Sequence, residues 1–228
     1  EADFDAGMRV NLDGTRGVLD ACRRNADRPR LVYASSIAVY GTPLPARIDD
    51  ATCPVPTLSY GAQKLACEQL VNDYSRRGYI DGRALRLPGI VARPAVPNGA
   101  LSIFLSDLIR EPLAGRPVVS PVSPAATTWL QSIARCAANF LHALALPDDA
   151  LGTQRAVLLP ALSASIGEVV ETLCAVADRD VRSLVRYAPD PAIEPNFGRW
   201  PRVFTATRGR ALGFAADPTL EALVRAAI

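Results

Sequence analysis

Two runs of apolar residues constrain most strongly what this 228-residue chain can fold into. They cover residues 30–36 and 83–91, and their apolar residues follow one another instead of alternating with polar ones. This pattern is typical of strands buried on both faces of a parallel sheet. Between the runs, a helical spacing extends from Ser59 to about Arg77, where Gly78 supplies a stop signal. The chain is therefore predicted to build an α/β fold around a parallel sheet.

Tyr60 and Lys64 stand four residues apart at the start of that helix, so both side chains project from one face. An ammonium beside a phenol favours the phenolate, and we expect Lys64 to lower the pKa of Tyr60. Such a tyrosine can act as a general acid or base on a secondary alcohol near neutral pH. Ser35 and Ser36 end the first strand, where a hydroxyl could hold the reacting oxygen.

Lys64 is the single lysine of a chain that contains 25 lysine and arginine residues together. A tyrosine followed by a lysine four residues later is, by itself, a weak signal that also occurs as a solvated pair. Arginine cannot lose its proton and has a planar, forked head, so it replaces a compact ammonium poorly. The retention of lysine at this one position favours a catalytic pair.

The spacing of Ser36, Tyr60 and Lys64 resembles the catalytic triad of the short-chain dehydrogenase/reductases. Neighbouring segments are similar to the extended branch of that family, the NAD-dependent epimerase/dehydratase type; they are residues 11–15, 35–41 and 86–89. The resemblance implies a Rossmann-type doubly wound parallel sheet with a small α/β substrate-binding domain. It also implies a nicotinamide cofactor, NAD in the first place and NADP as the alternative.

The resemblance assigns roles to individual residues. Tyr60 would exchange the proton of the substrate hydroxyl, Lys64 would hold the nicotinamide ribose, Ser36 would position the reacting oxygen, and Asn11 would sustain a proton relay. The remaining implied contacts are Tyr60, Ser35, Leu87 and Pro88 for the cofactor, and Ser36, Asn98, Ser102 and Arg93 for the substrate. Pro88-Gly89 is expected to break the second apolar run at its carboxyl edge. From the residues alone, this break could be a turn without a ligand, Asn11 could be a solvated helix residue, and Arg93 could be a surface cation.

The implied reaction is the reversible oxidation of a secondary alcohol in a small sugar acid or sugar derivative. One alternative is a sugar-nucleotide epimerase or dehydratase, which shares the triad but retains its cofactor. The other is a nucleotide-binding relative without turnover, whose function would survive Tyr60→Phe. Net release of NADH distinguishes the dehydrogenase from the epimerase.

The composition gives no indication of nucleic acid, a membrane or a structural zinc ion as a partner. A net charge of +2 is too small to indicate nucleic acid or an anionic membrane, and no apolar stretch is long enough to cross a bilayer. Five cysteines without Cys-x-x-Cys spacing, beside one histidine, do not fit a structural zinc site and suit a reducing cytoplasm. His142, on an apolar helix side, is expected to be structural.

The resemblance implies a homodimer formed by the helix from Ser59 and the helix before it.

The sequence contains no Gly-x-x-Gly-x-x-Gly loop after a strand, which in the family lies against the cofactor pyrophosphate. We therefore expect a longer protein, with roughly ninety further residues that carry this loop at its start. Residues 1–91 and 124–150 are assigned to the dinucleotide-binding domain, and residues 92–123 and 151–228 to the substrate-binding domain.

The remaining spacings predict further elements and surfaces. Four charged residues of the predicted helix that begins at Ser59 are expected to face water: Glu68, Asp73, Arg76 and Arg77. Arg110 and Glu111 are expected at an exposed helix end. The other predicted helices cover residues 5–25, 100–114, 131–146, 165–177 and 220–228, and the other predicted strands 117–122, 156–160 and 181–187.

Overall fold

A computed structural model describes residues 3–25, 27–95 and 101–227. Its strands are β1 Arg30–Ser36, β2 Arg47–Asp49, β3 Asp81–Leu87, β4 Gly89–Val91, β5 Val118–Ser120, β6 Thr127–Ser132, β7 Ala156–Leu158, β8 Leu162–Ser165, β9 Val185–Tyr187 and β10 Val203–Thr205. Its α-helices are α1 Phe4–Gly7, α2 Gly14–Asn25, α3 Ser59–Arg76, α4 Phe104–Leu113, α5 Ile133–Ala145, α6 Ile166–Ala177, α7 Glu194–Phe197, α8 Thr207–Ala211 and α9 Leu220–Arg225.

The central sheet is parallel, with strand order β1-β3-β7. Alternate residues of β1 contact opposite sides: Tyr33 packs with Leu19 of α2 and Val71 of α3, whereas Val32 packs with Ala143 of α5. Helices therefore cover both faces, as the unbroken apolar runs predicted. This arrangement confirms the mixed α/β fold built on parallel strands.

The strand predicted over residues 83–91, with a break at Pro88-Gly89, forms two separate elements. Pro88 divides it into β3, in the central sheet, and β4, which pairs with β6 in a second sheet. Proline has no backbone N–H to donate to the ladder, so the chain can change sheets there. In the second sheet β6 is parallel to β4 and antiparallel to β8, and two further parallel pairs join β2 to β10 and β5 to β9.

The structure also differs from the domain boundary predicted at residue 151. Strand β7 pairs with β3 and so lies in the central sheet, although its sequence was assigned to the substrate-binding part. The pairing is non-local, and no local pattern in residues 156–158 specifies it. The division into two domains otherwise stays a prediction.

Capping residues and apolar spacing in the sequence predicted the positions of most of the longer helices. At α6 the Ser165 hydroxyl accepts from the Glu168 N–H while the Glu168 carboxylate accepts from the Ser165 N–H, which confirms the predicted capping box. Helix α5 begins two residues later than predicted, because Gln131 and Ser132 complete β6 and the Ser132 hydroxyl caps the helix. Across the described ranges, the helices are all too short or too polar to span a membrane.

Candidate active site

Ser36 and Tyr60 meet at the carboxyl end of β1. The Ser36 hydroxyl interacts with the Tyr60 hydroxyl and lowers its pKa, although the two residues come from a strand end and the first turn of α3. Gly61 permits this close approach, because a Cβ at that position would lie 2.2 Å from the Ala38 carbonyl oxygen in the turn after Ser36. The structure therefore brings together two of the three residues that the sequence singled out.

Lys64 lies beside them with its ammonium turned toward β1. Its Nζ donates a hydrogen bond of 2.9 Å to the Ala34 carbonyl oxygen and lies 5.5 Å from the centre of the Tyr60 ring. Burial lowers the pKa of Lys64, because a half-buried site favours the neutral amine. An ammonium has three N–H donors, and Ala34 uses one of them.

The expected lowering of the Tyr60 pKa is wrong for this structure. Although the residue as a whole is 41% exposed, burial around its hydroxyl has the largest effect and raises the pKa. The hydrogen bond with Ser36 and the charge of Arg93 act in the opposite direction and lower the pKa less. Lys64 contributes little because its ammonium is bound to the Ala34 carbonyl and does not donate to the phenol oxygen.

Asn11 lies in a π-helical segment, Met8–Asp13, that joins α1 to α2. Its side-chain N–H donates to the Gln63 Oε1 atom over 2.7 Å, and its carbonyl accepts hydrogen bonds from Thr15 and Cys67. The wider helical turn changes the local carbonyl pattern, as is common for π-helical segments near functional sites. Asn11 is thereby held against α3 at the residue directly before Lys64.

A buried ion pair lies behind the strand end, and sequence reasoning missed it. Glu68, predicted to face water, is 2% exposed and binds the Arg86 guanidinium at 2.8 Å. Glu68 also accepts a hydrogen bond from Ser35, and Arg86 donates to the Tyr40 hydroxyl over 3.0 Å. The Ser35 side chain is used in this network, so a cofactor contact from Ser35 would have to come from its backbone.

One signal could have revealed this pair. Glu68 follows Lys64 by four residues and Tyr60 by eight, so it lies on the same face of α3 as the catalytic candidates. That face is directed at the sheet and not at water. Arg86 stands between Leu85 and Leu87 near the end of β3, where a largely buried arginine needs a partner.

Arg93 approaches the site from the segment after β4. Its guanidinium donates to the Ser102 hydroxyl over 3.1 Å, and its charge acts on Tyr60. Arg110, expected at an exposed helix end, is only 25% exposed and donates to the Arg93 carbonyl oxygen over 2.7 Å. The predicted substrate residues Arg93 and Ser102 are thus in contact, while Asn98 lies outside the described residues.

Leu87 and Pro88 occupy the edge where a cofactor is expected. Leu87 stands directly opposite Ser36 in the parallel register, so its backbone lies at the same carboxyl end of the sheet. Ligands of open parallel sheets bind beyond such ends. With the remaining donors of Lys64, these groups fit the ribose and amide of a nicotinamide nucleotide.

Other candidate sites carry no chemistry in the described part of the chain. His142 makes a 2.7 Å hydrogen bond to the Leu212 carbonyl oxygen and packs edge-on against Phe214, a structural environment. Among the residues that the structure covers, no group of three or more histidine, cysteine or acidic side chains is arranged to bind a metal ion. All five cysteines are free.

Comparisons with known proteins find a matching family, similar sequences and similar solved structures. Residues 2–125 match the NAD dependent epimerase/dehydratase family. A D-erythronate dehydrogenase of Cupriavidus necator is 44% identical over 99% of this chain and 70% of its own length, and one of Haemophilus influenzae is 38% identical over 99% and 71%. A crystal structure described as a nucleoside-diphosphate-sugar epimerase from Agrobacterium tumefaciens is 41% identical, with a TM-score of 0.88, over 98% of this chain and 67% of that one.

Proposed function

Because this chain belongs to the NAD dependent epimerase/dehydratase family and is an NAD-dependent dehydrogenase of the extended short-chain type, we propose that it oxidises a secondary alcohol of a small sugar acid. The observation that carries the proposal is the convergence of Ser36 and Tyr60 beside the Lys64 ammonium, at the carboxyl end of the central sheet. The two D-erythronate dehydrogenases support a four-carbon acid such as D-erythronate as substrate.

Oxidation of the alcohol removes a hydride and a proton. A bound nicotinamide supplies the hydride acceptor. Tyr60, as phenolate, takes the hydroxyl proton, while the Ser36 hydroxyl donates a hydrogen bond to the reacting oxygen. Lys64 binds the ribose through the N–H groups that the Ala34 carbonyl does not use. Asn11 connects Lys64 through a relay to solvent.

Arg93 is proposed to bind the substrate carboxylate. Its guanidinium Nε is buried and has no hydrogen-bond partner in the described structure, while one Nη atom is held by Ser102. A carboxylate could accept from such a fixed guanidinium, which pairs with planar anions better than an ammonium does. Ser102 and Asn98 would then bind the carboxylate or the hydroxyls of the substrate.

Replacing Arg93 with glutamine should weaken binding of acids. The lost charge-assisted hydrogen bond predicts a KM for a sugar acid that is about 10- to 100-fold higher, with a smaller change for the corresponding neutral polyol. Arg93 also lowers the pKa of Tyr60, so its removal raises that pKa and moves the acidic limb of the oxidation rate to higher pH. Steady-state kinetics against pH measure both effects. Arg225→Gln, at an exposed pair on α9, is the matched control; equal KM values in wild type and Arg93→Gln would refute the assignment.

The function itself is tested by NADH formation in the full-length protein. D-erythronate and a panel of four- to six-carbon sugar acids are offered with NAD, and absorbance of the reduced cofactor is followed. We expect stoichiometric release of NADH with at least one acid of the panel. Absence of NADH with every acid would remove the dehydrogenase proposal.

A sugar-nucleotide epimerase is the second candidate, favoured by the Agrobacterium tumefaciens structure that is 41% identical. An epimerase returns its hydride and releases no NADH. Product analysis of nucleotide sugars without net cofactor reduction would therefore distinguish it from the dehydrogenase.

We further propose NAD as cofactor, with NADP to be tested by comparing their KM values. A cytoplasmic location is supported by the five free cysteines.

A homodimer is supported by the exposed apolar residues Phe4, Val10 and Val18 on the helical segment that precedes β1. Light scattering of the purified full-length protein tests the dimer.

A further inference from the structure

The positive charge of Lys64 lies in a partly buried site without a carboxylate partner among the described residues. The ammonium is half-buried, and burial is the largest influence on its pKa, which it lowers. No carboxylate of the described residues pairs with it within 4.0 Å. A charge withdrawn from water is costly unless other groups stabilise it. Some neighbouring group must therefore compensate for the lost hydration.

Two groups on β1 meet the ammonium. The Ala34 carbonyl oxygen accepts a hydrogen bond at 2.9 Å, and the centre of the Tyr33 ring lies 4.9 Å from Nζ. The Tyr60 ring lies farther away, at 5.5 Å. An ammonium within about 6 Å of an aromatic ring face is attracted by the electron density of the ring.

The Tyr33 ring is firmly held. It is 9% exposed and packs among Leu19, Cys67 and Val71, whereas Tyr60 is 41% exposed. Burial raises the pKa of Tyr33, so its hydroxyl stays protonated and the ring acts as a neutral aromatic group. Its buried hydroxyl has no hydrogen-bond partner in the described structure, and the ring is placed by the apolar side chains around it.

We infer that Tyr33 is a positioning residue for Lys64: its ring holds the ammonium against the end of β1, within reach of Tyr60. The inference rests on the proposed function, in which Lys64 must be charged and correctly placed. The titratable neighbours of Lys64 are Tyr33 on β1, and Tyr60 and Cys67 on its own helix. The adjacent π-helical segment presents Asn11, a neutral amide that binds Gln63.

The test measures the pKa of Lys64 directly. Full-length protein is labelled with ¹³C-lysine, and the Lys64 signal is assigned by its loss in Lys64→Arg. Tyr33→Phe keeps the ring and should leave the pKa of Lys64 unchanged. Tyr33→Leu removes the ring and should lower the pKa of Lys64 by roughly 0.5 to 1 pH unit. An unchanged pKa in Tyr33→Leu would overturn the inference.

A second series covers the case in which Tyr33→Leu fails to fold. Phenylalanines with increasing numbers of ring fluorines are incorporated at position 33, which withdraws electron density from the ring face and nearly preserves its shape. The pKa of Lys64 should fall stepwise with fluorination, and a constant pKa would overturn the inference. The result is independent of turnover: a protein that forms no NADH but shows the stepwise fall contradicts the proposed function and leaves the position of Lys64 as inferred.

Discussion

Tyr60→Phe is expected to lower kcat for alcohol oxidation by about 10²- to 10⁴-fold, the usual effect of removing a positioned acid or base. Phenylalanine keeps the ring near Lys64 and removes only the hydroxyl that interacts with Ser36. Cofactor affinity should change little, because the ammonium remains bound to the Ala34 carbonyl. Steady-state kinetics and cofactor titration of the full-length enzyme measure both quantities.

The pH profile adds an independent readout for the same variant. Burial raises the pKa of Tyr60, and a base must lose its proton to act, so the wild-type oxidation rate should increase with pH above neutrality. That increase should be absent from the residual activity of Tyr60→Phe. Tyr74→Phe is the matched control, since Tyr74 lies on the same helix and its hydroxyl binds Asp20 instead. Equal kcat in Tyr60→Phe and Tyr74→Phe would contradict the role of Tyr60.

Glu68→Ala is expected to reduce the free energy of unfolding by about 3–5 kcal/mol, because it leaves a buried guanidinium without its partner. The side chains of Glu68 and Arg86 are only 1% and 13% exposed. Burial has the largest single effect and lowers the pKa of Arg86, but the hydrogen bonds and charge of Glu68, together with the interaction with Tyr40, outweigh it and raise the pKa. The change should also loosen the β1 end, since Ser35 and Tyr40 flank Ser36 and belong to the same network.

The control is an exposed pair of the same chemistry. Glu221 and Arg225 on α9 are 2.8 Å apart and about 60% exposed, so Glu221→Ala should cost at most about 1 kcal/mol. Denaturant unfolding of the full-length protein compares the two variants. The double change Glu68→Met with Arg86→Met should recover part of the stability, because two apolar side chains leave no unpaired charge. Equal losses in Glu68→Ala and Glu221→Ala would show that the buried pair is not a stabilising feature.

The sequence by itself determined the α/β class, the strand that ends at Ser36, and the catalytic candidates Ser36, Tyr60 and Lys64. Each of these follows from a local pattern: an apolar run without alternation, or a spacing of four on a helix. The capping box at Ser165 was readable for the same reason, since its partners lie three residues apart.

Only the tertiary structure decided which groups surround these residues. Local spacing places Glu68 on the face of Tyr60 and Lys64, but it does not specify the pairing with Arg86, 18 residues away, or the effect of the Arg93 charge on Tyr60. Burial of the Tyr60 hydroxyl likewise reverses the pKa shift expected from Lys64, because desolvation depends on everything that packs around the group. Local spacing determines which side chains share a face, whereas the environment of that face depends on long-range packing.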